Sequence, residues 1–229
     1  MGRIYKNMKE SINEIERDIM EMGILVHPET MQNINVKDNP DYDTLEVQNY
    51  TFSILDTSDK DSCIENLNWC MAEFFERIDD SKETINPGEA WKLRESTWAP
   101  FLVEGKMDYT YHDRMNAFAQ IHRVIKELRE NPDTRQAIIH VNFPEDARGW
   151  RKSRIPCSMY YQFMIRRGKL DVIYNMRSSD FDTHFKNDIW LADELRKYIA
   201  NEIEREVGIF HMNVGSLHRY KNYTKKHVF

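Results

Sequence analysis

Residues 154–180 read RIPCSMYYQFMIRRGKLDVIYNMRSSD, and this stretch decides the architecture. Met159 to Ile165 and Leu170 to Met176 have the β-branched and aromatic make-up of strands, and Arg167-Gly168-Lys169 between them signals a tight turn. Proline at 156 fixes the backbone just before Cys157, so a thiol is presented at a strand start. A lone cysteine is more often a small buried apolar residue, because only access and a lowered pKa make it reactive. Three arginine-bearing segments supply context: Asp133-Thr134-Arg135-Gln136, Arg154 itself, and Asn175-Met176-Arg177-Ser178-Ser179-Asp180. Guanidinium groups hold phosphate through paired hydrogen bonds and favour a thiolate, although each alone reads as a surface charge.

Upstream of the hairpin, Met115, Phe118, Ile121, Ile125 and Leu128 fall on one helical face that stops at Asn131-Pro132. Ala137 to Val141 then reads as a strand. Downstream, Leu191, Leu195, Ile199 and Ile203 space a long helix over roughly 187–204, and Ile209 to Val214 closes the series as a strand. Towards the N-terminus, Ile4, Met8, Ile12, Ile15 and Ile19 predict a helix over 3–22, Thr44 to Phe52 a strand, and 62–75 a second helix. Asn86-Pro87-Gly88 marks a turn, and 89–107 reads as irregular with one short helix. There is no internal repeat and no flexible linker. Helices interspersed with a mixed or mainly antiparallel sheet give an α+β (α/β) single domain over 1–229.

Composition agrees with a packed chain: 229 residues, 41% hydrophobic, 31% charged, with 8 Gly and 7 Pro. No apolar run approaches the roughly 18 residues of a membrane span, and Met1 to Lys6 leads into charge rather than a signal-peptide core, so a soluble cytoplasmic protein is expected. Three cysteines without a CxxC support neither a disulfide framework nor a cysteine-rich metal site. The net charge of −6 argues against a general nucleic-acid binder. The basic, aromatic stretch 218–229 would suit a nucleic-acid strand but reads first as a solvated helix end.

Two further segments hold candidate polar groups. In His184-Phe185-Lys186-Asn187-Asp188, Asn187 or Asp188 reads blandly as the cap of the long helix. In Asn213-Val214-Gly215-Ser216-Leu217-His218-Arg219-Tyr220, His218 and Tyr220 stand two apart after a strand, where extended chain points both to one side. Such a pair suits a sugar hydroxyl.

Taken in order, the Asp133-Thr134-Arg135 turn, Pro156-Cys157, the Arg177-to-Asp180 strand end and His218-x-Tyr220 resemble the thymidylate synthase superfamily. Within it, Asn175 to Asp180, Phe185 to Asp188 and Asn213 to His218 look most like the phage deoxycytidylate hydroxymethylase branch. Tyr109 to Met115 is similar to the shorter archaeal-type synthases and puts Tyr111 at the active-site tyrosine. The resemblance implies a homodimer and 5,10-methylenetetrahydrofolate as one-carbon donor to C5 of a deoxynucleoside monophosphate. Cys157 would add to C6 of the base, which makes C5 nucleophilic. Arg177 would hold the phosphate, with Arg135 reaching it from the other subunit. Ser178 would take phosphate or base edge, Asp180 would support the base near its carbonyl, and His218 with Tyr220 would take the 3′-hydroxyl. Asp188 stands where uridylate-specific members carry an amide, and an acceptor-only carboxylate matches the cytosine amino group while repelling the uracil oxygen.

The sequence also departs from that pattern. Gln136 replaces a second phosphate-binding arginine, for which Arg154 would compensate, and Ser158 replaces the histidine that often follows the nucleophile. The catalytic glutamate register, three residues before Trp69, holds Asn66. Glu65 reaching in from a distorted helix, or Asp188 with another acid such as Glu73, are the ways left to activate water. The expected activity is therefore deoxycytidylate hydroxymethyl transfer by a phage-encoded enzyme in host cytoplasm. Its alternatives are synthase-type methylation of dUMP or dCMP and an idle homologue that binds nucleotide or RNA, with a Cys–His hydrolase ranked behind them.

Overall fold

A computed structural model describes residues 2–31, 34–148 and 154–221. The hairpin opens as read: β7 (Ser158–Arg166) and β8 (Lys169–Asp180) pair antiparallel about Arg167 and Gly168, whose φ values of 52° and 76° make the left-handed turn that matches strand twist. Around it stand β1 (Arg3–Asn7), β2 (Ile24–Val26), β5 (Thr44–Asp56), β6 (Ile138–His140) and β9 (Glu206–Tyr220), with the small β3 (Thr30–Met31) and β4 (Ile34–Asn35) forming a separate pair. The main sheet runs β1-β5-β9-β8-β7-β6, with β2 added to β5. β1/β5 and β8/β9 are parallel and the other neighbours antiparallel, so the mixed sheet expected from the sequence is present.

Among the described residues seven α-helices accompany the sheet: α1 (Met8–Met22), α2 (Leu67–Ile78), α3 (Glu89–Lys92), α4 (Glu95–Trp98), α5 (Tyr111–Asn116), α6 (Gln120–Glu130) and α7 (Lys186–Glu202). The sheet face bearing Tyr50, Phe52, Phe163, Val172, Tyr174, Phe210 and Met212 is buried, because α1, α2 and α7 pack there. Phe52 meets Phe185 at 5.8 Å, Phe74 of α2 meets Trp190 of α7 at 6.4 Å, and Asp18 of α1 accepts from Tyr50 Oη at 2.5 Å. Alternation sends Gln162, Ile173, Asn175, His211, Asn213 and Ser53 to the opposite face. There Ser53 bonds His211 (2.7 Å), and Asn213 donates to Asn175 (2.9 Å). Among the described residues no helix is long and apolar enough to cross a membrane.

Several boundaries differ from the sequence expectation for local reasons. Residues 3–7 form a strand rather than helix, because Asn7 Oδ1 accepts from Glu10 N (2.9 Å) and caps α1 there. Asn66 likewise caps α2, accepting from Trp69 N at 3.2 Å, which moves that helix to 67–78. The single helix expected through Phe118 is broken. Phe118 and Ala119 are left-handed (φ 57° and 52°), and Phe118 is 77% exposed instead of lining a buried stripe. Gln120 pins the break, its amide donating to the Arg114 and His140 carbonyls while its oxygen accepts from His140 N. The last strand is much longer than 209–214 and carries His218 and Tyr220 within it, so those residues are not a helix end. Residues 222–229 of the basic stretch lie outside the described residues.

A buried charge cluster fastens α7 to its surroundings. Asp193, fully buried, accepts from Lys60 Nζ at 2.7 Å and pairs with Arg196, which donates to Gly208 O (2.7 Å) and Thr57 Oγ1 (3.0 Å). Removing one member of such a cluster strands the others without solvent. Asp193→Ala is expected to lower unfolding free energy by about 3–5 kcal/mol, measured by urea denaturation; a loss under about 1 kcal/mol would contradict this account of the cluster.

Candidate active site

The strand ends build one corner of a cavity of about 580 Å³. Arg177, near the end of β8, donates its backbone N–H to Cys157 O (2.9 Å). Its side chain folds back on the same segment: Nε to Pro156 O (3.0 Å), a terminal nitrogen to Ile155 O (2.8 Å), and that nitrogen 3.7 Å from Cys157 Sγ. A guanidinium at that separation stabilises the thiolate, the form in which cysteine attacks. Gly215 on β9 permits the arrangement, since a Cβ there would meet Arg177 O at 2.8 Å. Cys70 contrasts with this site, because burial pushes its thiol up to about 12.

Beyond Arg177, the parallel register sets Asp180 beside His218 and Ser178 beside Ser216. Ser178, Asp180, His218 and Tyr220 all line the cavity. The 218/220 spacing does point both side chains inward. Asp180 Oδ1 accepts from the amides of Asp182 (3.0 Å) and Thr183 (3.4 Å), starting a π-helical turn over Phe181–Phe185 that leads into α7. That turn brings His184 and Asp188 to the cavity, so Asp188 is not a helix cap. Ser179 donates to Asp188 Oδ2 at 2.9 Å. Burial pushes the Asp188 carboxyl up to about 7, against the opposing effects of the Ser179 bond and the Arg77 and Arg94 charges. His184 is pushed down to about 4, first by burial and then by Arg94 and Arg154, and it stacks on Trp98 at 5.7 Å.

The facing wall comes from α2. Trp69, Glu73 and Arg77 repeat every four residues and so share a face, and all three line the cavity. Glu73 Oε1 accepts from Arg77 Nε at 2.8 Å, while the Arg77 guanidinium, 7% exposed, lies 4.0 Å from the Tyr111 ring centre. Thr110 caps α5 by accepting from Asp113 N (3.1 Å), placing Tyr111 on its first turn. Tyr111 Oη then lies 3.0 Å from Ser158 Oγ, which in turn bonds Tyr174 Oη. Arg154, 9% exposed, stands among Trp98, Phe101 and Tyr109 at 5.1–5.3 Å from each ring. Its Nε has no hydrogen-bond partner among the described residues, and the same holds for Trp69 Nε1 and Trp91 Nε1, which belong to other cavity residues.

The residues expected from sequence thus divide. Cys157, Tyr111, Arg154, Arg177, Ser178, Asp180, Asp188, His218 and Tyr220 line one cavity. Glu65 does not: its side chain is 92% exposed and its carboxylate lies 3.9 Å from Lys186, because the chain before the Asn66 cap points away from the α2 face. Arg135 is also exposed outside the cavity, its carbonyl accepting from Gln162 Nε2 at 2.8 Å beside β7. Arg77, His184, Trp98 and Ser179 were not singled out as site residues. The four-residue spacing from Trp69 carried a signal for Arg77 and Glu73, whereas the stacking of His184 on Trp98 joins segments 86 positions apart and left none.

Comparison with known proteins agrees with this geometry. Residues 60–228 match the thymidylate synthase family model. Deoxycytidylate 5-hydroxymethyltransferase of Enterobacteria phage T4 is 33% identical over 161 residues, covering 66% of this chain and 58% of that protein. A putative thymidylate synthase of Methanosarcina barkeri is 29% identical over 128 residues, covering 52% and 58% respectively. The match therefore spans less than two thirds of the length of these curated relatives. In fold, the T4 phage thymidylate synthase structure superposes with a TM-score of 0.72 at 21% identity, covering 96% of this chain and 79% of the other. Bacillus subtilis thymidylate synthase A gives 0.71 at 17%, covering 94% and 80%. With most of its length matched by the family model, and with the fold to go with it, the chain belongs to the thymidylate synthase family.

Proposed function

We propose that this protein transfers a one-carbon unit to C5 of a pyrimidine deoxynucleoside monophosphate, taking dCMP to 5-hydroxymethyl-dCMP. The carrying observation is the Arg177 guanidinium 3.7 Å from Cys157 Sγ, in the same cavity as the buried Asp188 carboxyl. C5 of a pyrimidine is a weak nucleophile. Thiolate addition at C6 pushes an electron pair towards C5 and creates the needed carbanion character. Cys157 is that thiolate, with Tyr111 beside it through Ser158. Arg177 binds the phosphate next to the sulfur. Arg154, with an unpartnered Nε, supplies the cationic contact that Gln136 does not. Ser178 and Asp180 flank the phosphate and base edge, and His218 with Tyr220 takes the 3′-hydroxyl.

The donor assigned is 5,10-methylenetetrahydrofolate, which supplies carbon at the oxidation level of formaldehyde. The unpartnered indole N–H groups of Trp69 and Trp91 fit a flat heteroaromatic group carrying acceptors. A homodimer formed on the sheet face of Gln162 and Asn175 would bring Arg135, beside Gln162, towards the second subunit's phosphate site.

Asp188 reads the base. Ser179 occupies Oδ2, which leaves Oδ1 for position 4 of the ring. As a carboxylate, Oδ1 accepts from the cytosine amino group and repels the uracil oxygen; when protonated, it donates to that oxygen instead. Because its pKa stands near 7 rather than the ordinary 3.8, the switch falls near neutrality.

Incubation of the protein with C5-tritiated dCMP and methylenetetrahydrofolate is expected to release tritium and yield the 5-hydroxymethyl nucleotide. Formation of dihydrofolate with a 5-methyl product would instead favour synthase-type chemistry. The Asp188 account also fixes a sign with pH. The ratio of kcat/KM for dCMP to that for dUMP should rise about a hundredfold between pH 6 and pH 8, as the carboxylate form serving dCMP replaces the protonated form serving dUMP. In Asp188→Asn the ratio should be flat with pH and shifted towards dUMP. A flat ratio in the wild type would refute this base-reading step.

A further inference from the structure

The sugar corner of the cavity is built on β9, whose neighbour on the side away from β8 is β5. Their antiparallel register sets Thr44 opposite Tyr220, Glu46 opposite His218 and Gln48 opposite Ser216. Alternation keeps these residues on one face, and Glu46, Ser216, His218 and Tyr220 all line the cavity. The strand ends are fastened there. Lys221 N donates to Asp43 O at 2.8 Å, and Tyr42 meets the Tyr220 ring edge-on at 6.0 Å. Glu46 stands before residues 60–228, the span that the family model matches.

The hydrogen bonds in this corner have a fixed direction. Gln48 Nε2 donates to Glu46 Oε1 at 3.1 Å, and Ser216 Oγ donates to Glu46 Oε2. A carboxylate only accepts, so the single hydroxyl proton of Ser216 is committed to Glu46. Ser216 Oγ also lies 3.4 Å from His218 Nδ1. Towards that nitrogen the oxygen can only accept, which puts the ring proton on Nδ1. In a neutral imidazole the other nitrogen, Nε2, is then an acceptor. Asp180, opposite His218 on β8, has its Oδ1 turned to the amides of Asp182 and Thr183 instead.

We infer that Glu46 and Ser216 are positioning residues that fix the tautomer of His218, so that the site selects a sugar whose 3′-hydroxyl donates a hydrogen bond. The inference rests on the reading of this cavity as a deoxynucleoside monophosphate site. The 3′-hydroxyl donates to His218 Nε2, and its oxygen accepts from Tyr220 Oη. A 3′ position bearing hydrogen, fluorine or an ester oxygen offers no donor and leaves Nε2 unmatched. The site therefore takes free nucleotides and rejects one already linked through its 3′ oxygen.

Titration calorimetry with nucleotides alone tests this without folate. The wild type is expected to bind dCMP about 30-fold more tightly than 2′,3′-dideoxy-CMP. The 3′-fluoro analogue, which cannot donate, should bind within about threefold of the dideoxy compound. Glu46→Ala and Ser216→Ala should each cut the preference for dCMP to about threefold while leaving affinity for dideoxy-CMP within about twofold of the wild type. Ser216→Thr, which keeps the hydroxyl, should retain a preference of about tenfold. Imidazole ¹⁵N spectra should show His218 protonated at Nδ1 and bare at Nε2 in the wild type, with the Nε2-protonated form gaining in Glu46→Ala. Equal loss of affinity for both nucleotides in the alanine variants, a 3′-fluoro analogue that binds like dCMP, or a wild-type ring protonated at Nε2 would overturn the inference while leaving the wider reading intact. A wild type that binds neither dCMP nor its analogues would overturn that reading along with it.

Discussion

The parallel pairing of β8 with β9 is the constraint on which the rest of the site depends. It sets Met176 opposite Val214, Ser178 opposite Ser216 and Asp180 opposite His218, so groups some 38 residues apart share one strand-end corner. The close approach at Gly215 lets the Arg177 backbone sit against β9, and its N–H then fixes the Cys157 carbonyl. A slip of one residue in this register would turn Asp180 and His218 to opposite faces. The cavity would then lose one of the two polar side chains that this corner brings together.

Electrostatics in the cavity follow from putting several charges where water is scarce. Arg77, Arg94 and Arg154 are all substantially buried; burial first, and then Arg94 and Arg154, holds His184 neutral, while Arg77 and Arg94 partly offset what burial does to Asp188. Such an arrangement favours an anionic ligand in a site whose walls are largely aromatic. It also explains how an acidic chain, −6 overall, concentrates positive charge at one place. The helices serve this end through their termini: Thr110 presents Tyr111, and the π-helical turn after Asp180 presents His184 and Asp188.

Much of the fold was legible because strand and helix periodicities are local. The β7–β8 hairpin, the buried stripe of α7 and the strand through Tyr50 and Phe52 all stand where alternation or the 3.6-residue repeat put them. Three of the misreadings share one cause, a side chain that ends an element by bonding the backbone. Asn7 cut α1 from β1, Asn66 started α2 late, and Gln120 held the break after Phe118. At the site, the strand-borne residues were readable from motif order, whereas Glu73 and Arg77 depended on where α2 starts. Counting from Trp69 towards the N-terminus led to Asn66 and Glu65, which lie at and before the cap. Counting forward one turn leads to the carboxylate that lines the cavity.

The central claim is that Cys157, beside Arg177, is the atom that bonds the pyrimidine. Fluorine at C5 cannot leave as a cation, so a fluorinated nucleotide should halt the reaction with the sulfur still attached to C6. Intact-mass analysis after incubation with 5-fluoro-dCMP and methylenetetrahydrofolate is predicted to show one covalent equivalent of nucleotide plus folate per chain, mapped by peptide sequencing to Cys157. An unmodified protein, or an adduct on Cys63 or Cys70, would contradict the account.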